Sequence, residues 1–400
     1  MTGMERGGRA WLTLALMSAL YFIITAATFG SLGMVLPAMV KDLGWNWTGA
    51  GFGFTLLGFF CGITSAVPAT LIRRFGVRAT LLCGCVVMGL AFLCLAQTGG
   101  LLGYFVGASL AGLGFTLLDS VPATYLLSRL FARPSFAIGL FFTLGGLGGV
   151  AGPLVYTFVI DATGNWRSYW LVMGVLIAII GIVAALAVDA KSAVGSGVDS
   201  DPEISTEGWT FRAALQTPQF WIIAIAFSAF QFCGITASSV SVAHLTQHGV
   251  AIAIAGSMMS VEALVNSSAR LAGGILTRLV SAKTLLCVSL TCLVTGILAL
   301  GVARDMPMML VYAAGVGIGY GLTLFAATIL LLDYFGRGPY LELYSAVNLI
   351  STVGAIAPTL AGVTRDRTGS FTPFFVALAI LVAMVLLAAL LMRPPHTRRA

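Results

Sequence analysis

The apolar stretch 260–276, SVEALVNSSARLAGGIL, carries Glu262, Asn266 and Arg270. An arginine at the centre of a bilayer costs about 2.5–3.5 kcal/mol even on the insertion scale with the smallest penalties. Its planar guanidinium can bind a carboxylate through two parallel hydrogen bonds, and Asn266 lies one helical turn earlier on the same face. The pattern predicts an anion site inside a membrane. Snorkelling of Arg270 to the surface, or its pairing with one buried acid, are the simpler alternatives.

Asp119 and Glu262 are the acids that we expect deep inside apolar runs. A carboxyl group near Arg270 can exchange a proton as an anionic substrate arrives or leaves, so both are predicted proton-coupling residues. Two alternatives stay open. Asp119 could simply pair with Arg270, and Glu262, roughly 80° round the helix from Arg270, could face a neighbouring helix instead.

Further candidates would complete the substrate-binding set. Tyr320, within GVGIGYGLTLF, is a candidate hydroxyl donor with Phe325 nearby, although core packing is nearly as good an interpretation of this tyrosine. Phe142 and Leu144 are candidates for an apolar wall around a short acyl chain. Together with Arg270 and Asn266, these residues predict a pocket for a small organic anion.

Composition places the chain among membrane proteins. It has 400 residues, of which 59% are hydrophobic and 9% charged, and its mean hydropathy is +1.01. A soluble globular protein has about 25% charged residues. The seven cysteines lie in apolar runs and are typical of packing residues, and no metal-spaced His/Cys cluster, phosphate-binding loop or nucleophile motif is present. We therefore expect no enzyme activity and no metal or organic cofactor, and we attribute the net charge of +7 to membrane orientation rather than nucleic-acid binding.

About twelve apolar runs of spanning length follow one another, and each must be helical because a backbone in lipid has to satisfy its own hydrogen bonds. We place them at 11–39, 48–72, 79–97, 100–128, 135–160, 168–188, 218–242, 251–276, 284–303, 307–332, 341–363 and 372–392. Most of the 21 lysines and arginines flank the runs on the side of the N-terminus. The positive-inside bias then predicts that both termini are cytoplasmic, in what we interpret as a bacterial inner (plasma) membrane.

An internal repeat divides the chain. Residues 69–73, followed by Arg78, line up with residues 274–278, followed by Lys283. We therefore predict a six-helix bundle at 1–188, a cytoplasmic linker at 189–216 and a second six-helix bundle at 217–400. Parallel six-helix repeats place the substrate near the midplane between the halves. In this alignment Arg270 corresponds to Ser65 and Asn266 to Cys61, so the repeat itself does not require the charge.

These features resemble the major facilitator superfamily, whose fold would have twelve helices, a central linker and basic loops after the second and eighth. The loop ATLIRRFGVR is similar to the superfamily pattern G-x-L-x-D-R-x-G-R-R, although Ala69 and Arg73 depart from it. Gly148, Gly152 and Pro153 resemble the glycine–proline motif of antiporters. The closest branch is the monocarboxylate porters with the oxalate–formate antiporters, on the segments TPQFW, RPSFAIG, LPAMVKDLGW and DRTGSF and on an eighth-run arginine followed by LAGG.

The resemblance implies that Arg270 is the carboxylate ligand. Some members carry an aspartate where this chain has Asn266, and members that handle dicarboxylates carry a lysine in the eleventh helix, whereas the run 341–363 has neither lysine nor arginine. It also favours Asp119 as the proton carrier, because fourth helices line the cavity. We expect a monomeric secondary transporter that moves a small, lactate- or pyruvate-like monocarboxylate with a proton by alternating access. The alternatives are a same-fold antiporter or exporter of another organic anion or drug-like metabolite, and a carboxylate sensor.

Overall fold

The structure, a computed structural model, describes residues 3–131, 134–187, 209–276, 279–336 and 338–395, and every regular element in these ranges is helical. The first group of helices comprises α1 (Gly3–Ala27), α2 (Leu32–Leu43), α3 (Trp47–Ile63), α4 (Val67–Gln97), α5 (Leu101–Leu118), α6 (Ser120–Leu130), α7 (Pro134–Gly146), α8 (Gly148–Thr163) and α9 (Trp166–Ala187). The second comprises α10 (Phe211–Leu215), α11 (Pro218–Gln247), α12 (Ile252–Leu276), α13 (Ala282–Val302), α14 (Met306–Phe335), α15 (Tyr340–Ser351), a 3₁₀ helix (Thr352–Ile356), α16 (Ala357–Thr368) and α17 (Thr372–Leu391). The predicted all-α membrane fold is confirmed.

Within the described residues, 11 segments are long and apolar enough to cross a membrane, and the shorter apolar helix α3 precedes α4. Gly76 leaves helical geometry inside α4, at φ +81° and ψ 168°, and so separates residues 67–75 from 77–97. When residues 67–75 are counted with α3, the described chain has the predicted twelve spans.

Five of the predicted runs are interrupted rather than continuous. Residues 28–31 separate α1 from α2, residues 64–66 separate α3 from α4, Asp119 separates α5 from α6, Leu147 separates α7 from α8, and the 3₁₀ segment separates α15 from α16. Hydropathy does not reveal such breaks, because each one is too short to end the apolar run around it. They matter for the site, since each leaves backbone groups without a partner in their own helix.

Polar residues and glycines set the helix ends. The Asn46 side chain accepts from the Gly49 amide at 2.8 Å at the start of α3, and the Asp305 carboxylate accepts from the Met308 amide at 3.1 Å at the start of α14. Gly44 and Gly369 follow α2 and α16 with φ of +66° and +77°, a conformation that favours glycine. These caps fix where the spans turn and therefore which residues reach the cavity.

The two groups of helices meet where α3 packs on α16, α2 on α11 and α8 on α12. At the first of these crossings the backbones nearly touch. A Cβ atom at Gly51 would collide with the Pro358 carbonyl, and one at Gly362 with the Trp47 carbonyl. We call the membrane side that contains Trp47 and the end of α16 the closed side. The division at 189–216 stays a prediction, since residues 188–208 lie outside the described ranges.

Candidate functional site

A cavity of about 980 Å³ lies between the two groups of helices, away from the closed side. Its lining reaches Val121 in α6 and Tyr344 in α15, so it extends towards the side where both described ends of the chain lie. Five predicted site residues line it: Asp119, Glu262, Asn266, Arg270 and Tyr320. Sequence reasoning therefore named side chains from α12, from α14 and from the α5–α6 junction that the fold brings to one space.

Interrupted helices surround this cavity. Its lining includes Gly30, Ser65, Asp119 and Thr352, one residue from each of four of the five breaks. In membrane transporters, discontinuous helices place polar backbone groups and half-helix ends beside a substrate. Ser65 and Cys61, which align with Arg270 and Asn266 in the repeat, line the same cavity. Equivalent positions of the two halves thus face each other across it, with the cation on one side only.

Arg270 is held by its own helix. Its Nε donates to Asn266 Oδ1 at 3.0 Å, and its guanidinium carbon lies 5.7 Å from the centre of the Tyr320 ring. No carboxylate of the described residues lies within 4.0 Å of it. Because an arginine in a protein does not deprotonate, this cation needs an anion that the described side chains do not supply. The guanidinium thus lines the cavity without an ion pair among the described residues.

The two acids occupy different parts of the wall. Glu262 lies two turns before Arg270 in α12 and is 9% exposed, and it faces the cavity rather than only a neighbouring helix. Asp119 lies in the break between α5 and α6, where Ser120 Oγ donates to its Oδ2 at 3.1 Å. Its buried Oδ1 has no hydrogen-bond partner among the described residues. Neither acid forms an ion pair with Arg270 in this structure.

Tyr320 is fixed by α11, a helix that the sequence analysis did not connect with the site. Its hydroxyl donates to Gln231 Oε1 at 2.7 Å, and its ring meets Phe230 edge-on at 4.8 Å between centres. A Cβ atom at Gly234 would collide with the same ring. Gln231 also lines the cavity. The sequence could have indicated Gln231, because this uncharged polar residue begins the segment QFCG inside a mostly apolar run.

The remaining predicted residues, Phe142, Leu144 and Phe325, lie outside the cavity lining that the described residues form. Phe142 and Leu144 are each 38% exposed, because α7 turns Phe141 and Gly145 towards α1 instead. Phe325 packs beside Gly273 on α12. The apolar part of the wall comes from other side chains: Tyr21, Phe29, Phe115, Ile235 and Met259. A contribution of the three predicted residues to substrate binding stays a prediction.

Comparison with known proteins places this geometry in a family. Residues 17–357 match the family model of the Major Facilitator Superfamily. An uncharacterized MFS-type transporter, YhjX of Escherichia coli (strain K12), is 25% identical over 365 residues, which cover 86% of each chain. Among solved structures, the nucleoside transporter NupG has a TM-score of 0.77 at 12% identity, with 96% of this chain and 100% of that chain covered. A transporter of the POT family in complex with 5-aminolevulinic acid has a TM-score of 0.75 at 14% identity, with 94% and 95% covered. These similarities to solved structures concern the fold alone.

Proposed function

The chain belongs to the major facilitator superfamily, and on that premise we propose that this membrane transporter moves a small monocarboxylate, lactate- or pyruvate-like, together with a proton. The proposal assigns it to the branch of monocarboxylate porters and oxalate–formate antiporters. The relative that is 25% identical to this chain is uncharacterized, so it does not indicate a substrate. The support therefore comes from the cavity.

One observation carries the proposal: Arg270 lines the central cavity, oriented by Asn266, with no described carboxylate within 4.0 Å. A substrate carboxylate accepts from the guanidinium and replaces the water that must otherwise solvate it. The described part of α15 and the 3₁₀ segment, which form the facing wall, contains no lysine or arginine. A single cation without a partner favours a monoanion over a dianion, because a second carboxylate would lie in the cavity uncompensated.

Asp119 is the proposed proton carrier. Its Oδ1 is buried without a hydrogen-bond partner among the described residues, and a proton on this oxygen removes the charge that would otherwise be left there. Entry of a proton together with the anion keeps the net charge of the cavity unchanged through the cycle. Glu262, on the same wall as Arg270, is the second acid through which this coupling can run.

The proposed cycle is alternating access. In this structure the halves touch at the closed side and the cavity extends towards the other side. Rocking of the halves about the site would open the α3–α16 contact and close the opposite end. We further infer that the side of the chain ends is the cytoplasmic one, in a bacterial inner membrane, and that a single chain carries the whole pathway.

The test is uptake of radiolabelled lactate into proteoliposomes that contain purified protein, with the interior alkaline. Arg270→Ala should abolish uptake while the protein still elutes as a single species and unfolds cooperatively. Arg304→Ala, which removes an exposed arginine between α13 and α14, is the matched control and should retain uptake. Uptake of carboxylates by Arg270→Ala at the rate of the unsubstituted protein would refute the proposal.

Exchange of organic anions is the second candidate function, and the close packing of α8 against α1 supports it. Gly148 and Gly152 lie so close to α1 that Cβ atoms there would meet the Phe22 and Ala26 carbonyls. Together with Pro153, these glycines of α8 form the segment that resembles the glycine–proline motif of antiporters. Lactate efflux that is stimulated by external carboxylate but indifferent to the pH gradient would favour exchange over symport.

A further inference from the structure

Three contacts from α11 set the position of the Tyr320 hydroxyl. The absence of a side chain at Gly234 leaves room for the Tyr320 ring, and the Phe230 ring packs against that ring in an edge-to-face arrangement. Gln231 Oε1 accepts a hydrogen bond from the Tyr320 hydroxyl at 2.7 Å. Gln231 is itself supported from behind, since a Cβ atom at Gly354 in the 3₁₀ segment would lie 3.1 Å from Gln231 Cβ. These contacts therefore hold the side chains of Tyr320 and Gln231 in fixed positions in the cavity wall.

The hydrogen bond leaves a defined set of unused groups. With its hydrogen given to Gln231 Oε1, the Tyr320 oxygen presents acceptor lone pairs, and the Gln231 amide nitrogen keeps hydrogens that no described residue accepts. An acceptor and a donor thus stand side by side at the cavity. A hydroxyl group satisfies both, because it donates one hydrogen bond and accepts others, whereas a keto oxygen satisfies only the donor and a methylene group satisfies neither.

This pair lies next to the anion site. Tyr320 contacts both partners, with its ring centre 5.7 Å from the guanidinium carbon of Arg270 and its hydroxyl on Gln231. One aromatic side chain therefore separates the carboxylate-binding fork from the hydroxyl-binding pair. Because the two sites share Tyr320, one small substrate can reach both, which favours an oxygen close to the carboxylate over one at the end of a long chain.

We propose that Gln231 and Tyr320 form a second subsite, which reads an oxygen on the carbon beside the substrate carboxylate and selects 2-hydroxy acids over unsubstituted acids. The inference rests on the proposed function, because it needs the carboxylate on Arg270. It adds Gln231 as the residue that determines specificity. The expected order of preference is lactate, then pyruvate, then propionate.

The test compares kcat/KM for uptake of radiolabelled lactate and propionate by the full-length protein in proteoliposomes. A site that hydrogen-bonds a substrate group discriminates strongly against an analogue without it, so we expect the unsubstituted protein to prefer lactate by roughly tenfold or more. Gln231→Leu should bring this ratio close to one by slowing lactate and not propionate. Gln247→Leu is the matched control: it lies on the same helix, outside the cavity, where its amide donates to the Gly369 carbonyl, and it should leave the ratio unchanged.

Tyr320→Phe provides a second variant, because it keeps the ring contacts with Phe230 and Gly234 and removes only the hydroxyl. It should lower the same ratio. Equal loss of lactate and propionate uptake in both variants would overturn the subsite, since it would show a merely structural role. Carboxylate uptake by the unsubstituted protein without preference for lactate would overturn the subsite and leave the proposed function standing. Absence of any carboxylate uptake would overturn both.

Discussion

The Asp366 carboxylate caps the N-terminus of α3 from the other half of the molecule, through Thr48. Its Oδ2 accepts from the Thr48 amide at 2.8 Å and from Thr48 Oγ1 at 2.5 Å, and its Oδ1 accepts from the Trp47 amide at 3.0 Å. A helix N-terminus carries amides without partners and a partial positive charge, so a carboxylate stabilises it there. Because Asp366 lies in the last turn of α16 and Thr48 in the first turn of α3, these hydrogen bonds can exist only while the closed side stays closed.

Removal of this cap should loosen the closed side. Loss of a capping side chain costs about 0.5–2 kcal/mol, which corresponds to a shift of about 2- to 30-fold in the equilibrium between closed and open. We therefore expect Asp366→Ala to raise hydrogen exchange in the first turn of α3 and at its crossing with α16. Hydrogen exchange with mass spectrometry on protein in nanodiscs measures both segments.

Asp305→Ala is the control for this cap. Asp305 accepts from the Met308 amide at 3.1 Å and so caps α14 within its own half. Its removal should raise exchange at the start of α14 and leave α3 unchanged. If Asp366→Ala had no effect on α3 while Asp305→Ala exposed α14, Asp366 would be ruled out as the contact that holds the halves together.

The α3–α16 crossing should also tolerate no added methyl group. A Cβ atom at Gly51 would collide with the Pro358 carbonyl, and overpacking of this kind costs about 1–3 kcal/mol. Since only the closed arrangement contains this contact, Gly51→Ala should favour the state that is open on that side, with faster exchange in both helices. Gly89→Ala adds the same atom in α4, where nothing lies within 4 Å, and should match the unsubstituted protein. Equal exchange in Gly51→Ala and Gly89→Ala would contradict this account of the crossing.

The sequence could predict those contacts of the site that lie within a single helix. Asn266 and Arg270 are four residues apart, and a helix alone is enough to bring their side chains to a 3.0 Å hydrogen bond. Tyr320 and Gln231 lie on different helices, and only tertiary packing joins them. The contact between Asp366 and Thr48 could not be predicted either, because it also joins two different helices. Twelve spans follow from hydropathy, whereas the break at Asp119 does not, because a single carboxylate beside Ser120 does not end the apolar run around it.

Asn266 should matter through the orientation of Arg270. Asn266→Ala removes the acceptor of a hydrogen bond from a charged donor, which is worth about 1.5–3 kcal/mol, and so should raise KM for lactate about tenfold or more. Asn266→Asp should also weaken binding, because a carboxylate on Arg270 competes with the substrate. Ser268→Ala, on the exposed face of the same helix, should behave like the unsubstituted protein. Unchanged KM in both Asn266 variants would remove this residue from the site.

Asp119→Asn separates binding from proton coupling. The amide keeps the size of the side chain but cannot carry a proton, so lactate should no longer accumulate in vesicles whose interior is alkaline. Exchange of lactate across the membrane without a pH gradient should continue, because Arg270 and Asn266 are untouched. In the unsubstituted protein uptake should rise as the external pH falls, since a proton enters with each anion, and in Asp119→Asn this dependence should flatten. Asp161→Asn replaces an exposed acid near the end of α8 and should keep both accumulation and pH dependence. If Asp119→Asn still accumulated lactate in response to the pH gradient, Asp119 would not be the proton carrier, and the role would pass to Glu262, the other acid that lines the cavity among the described residues.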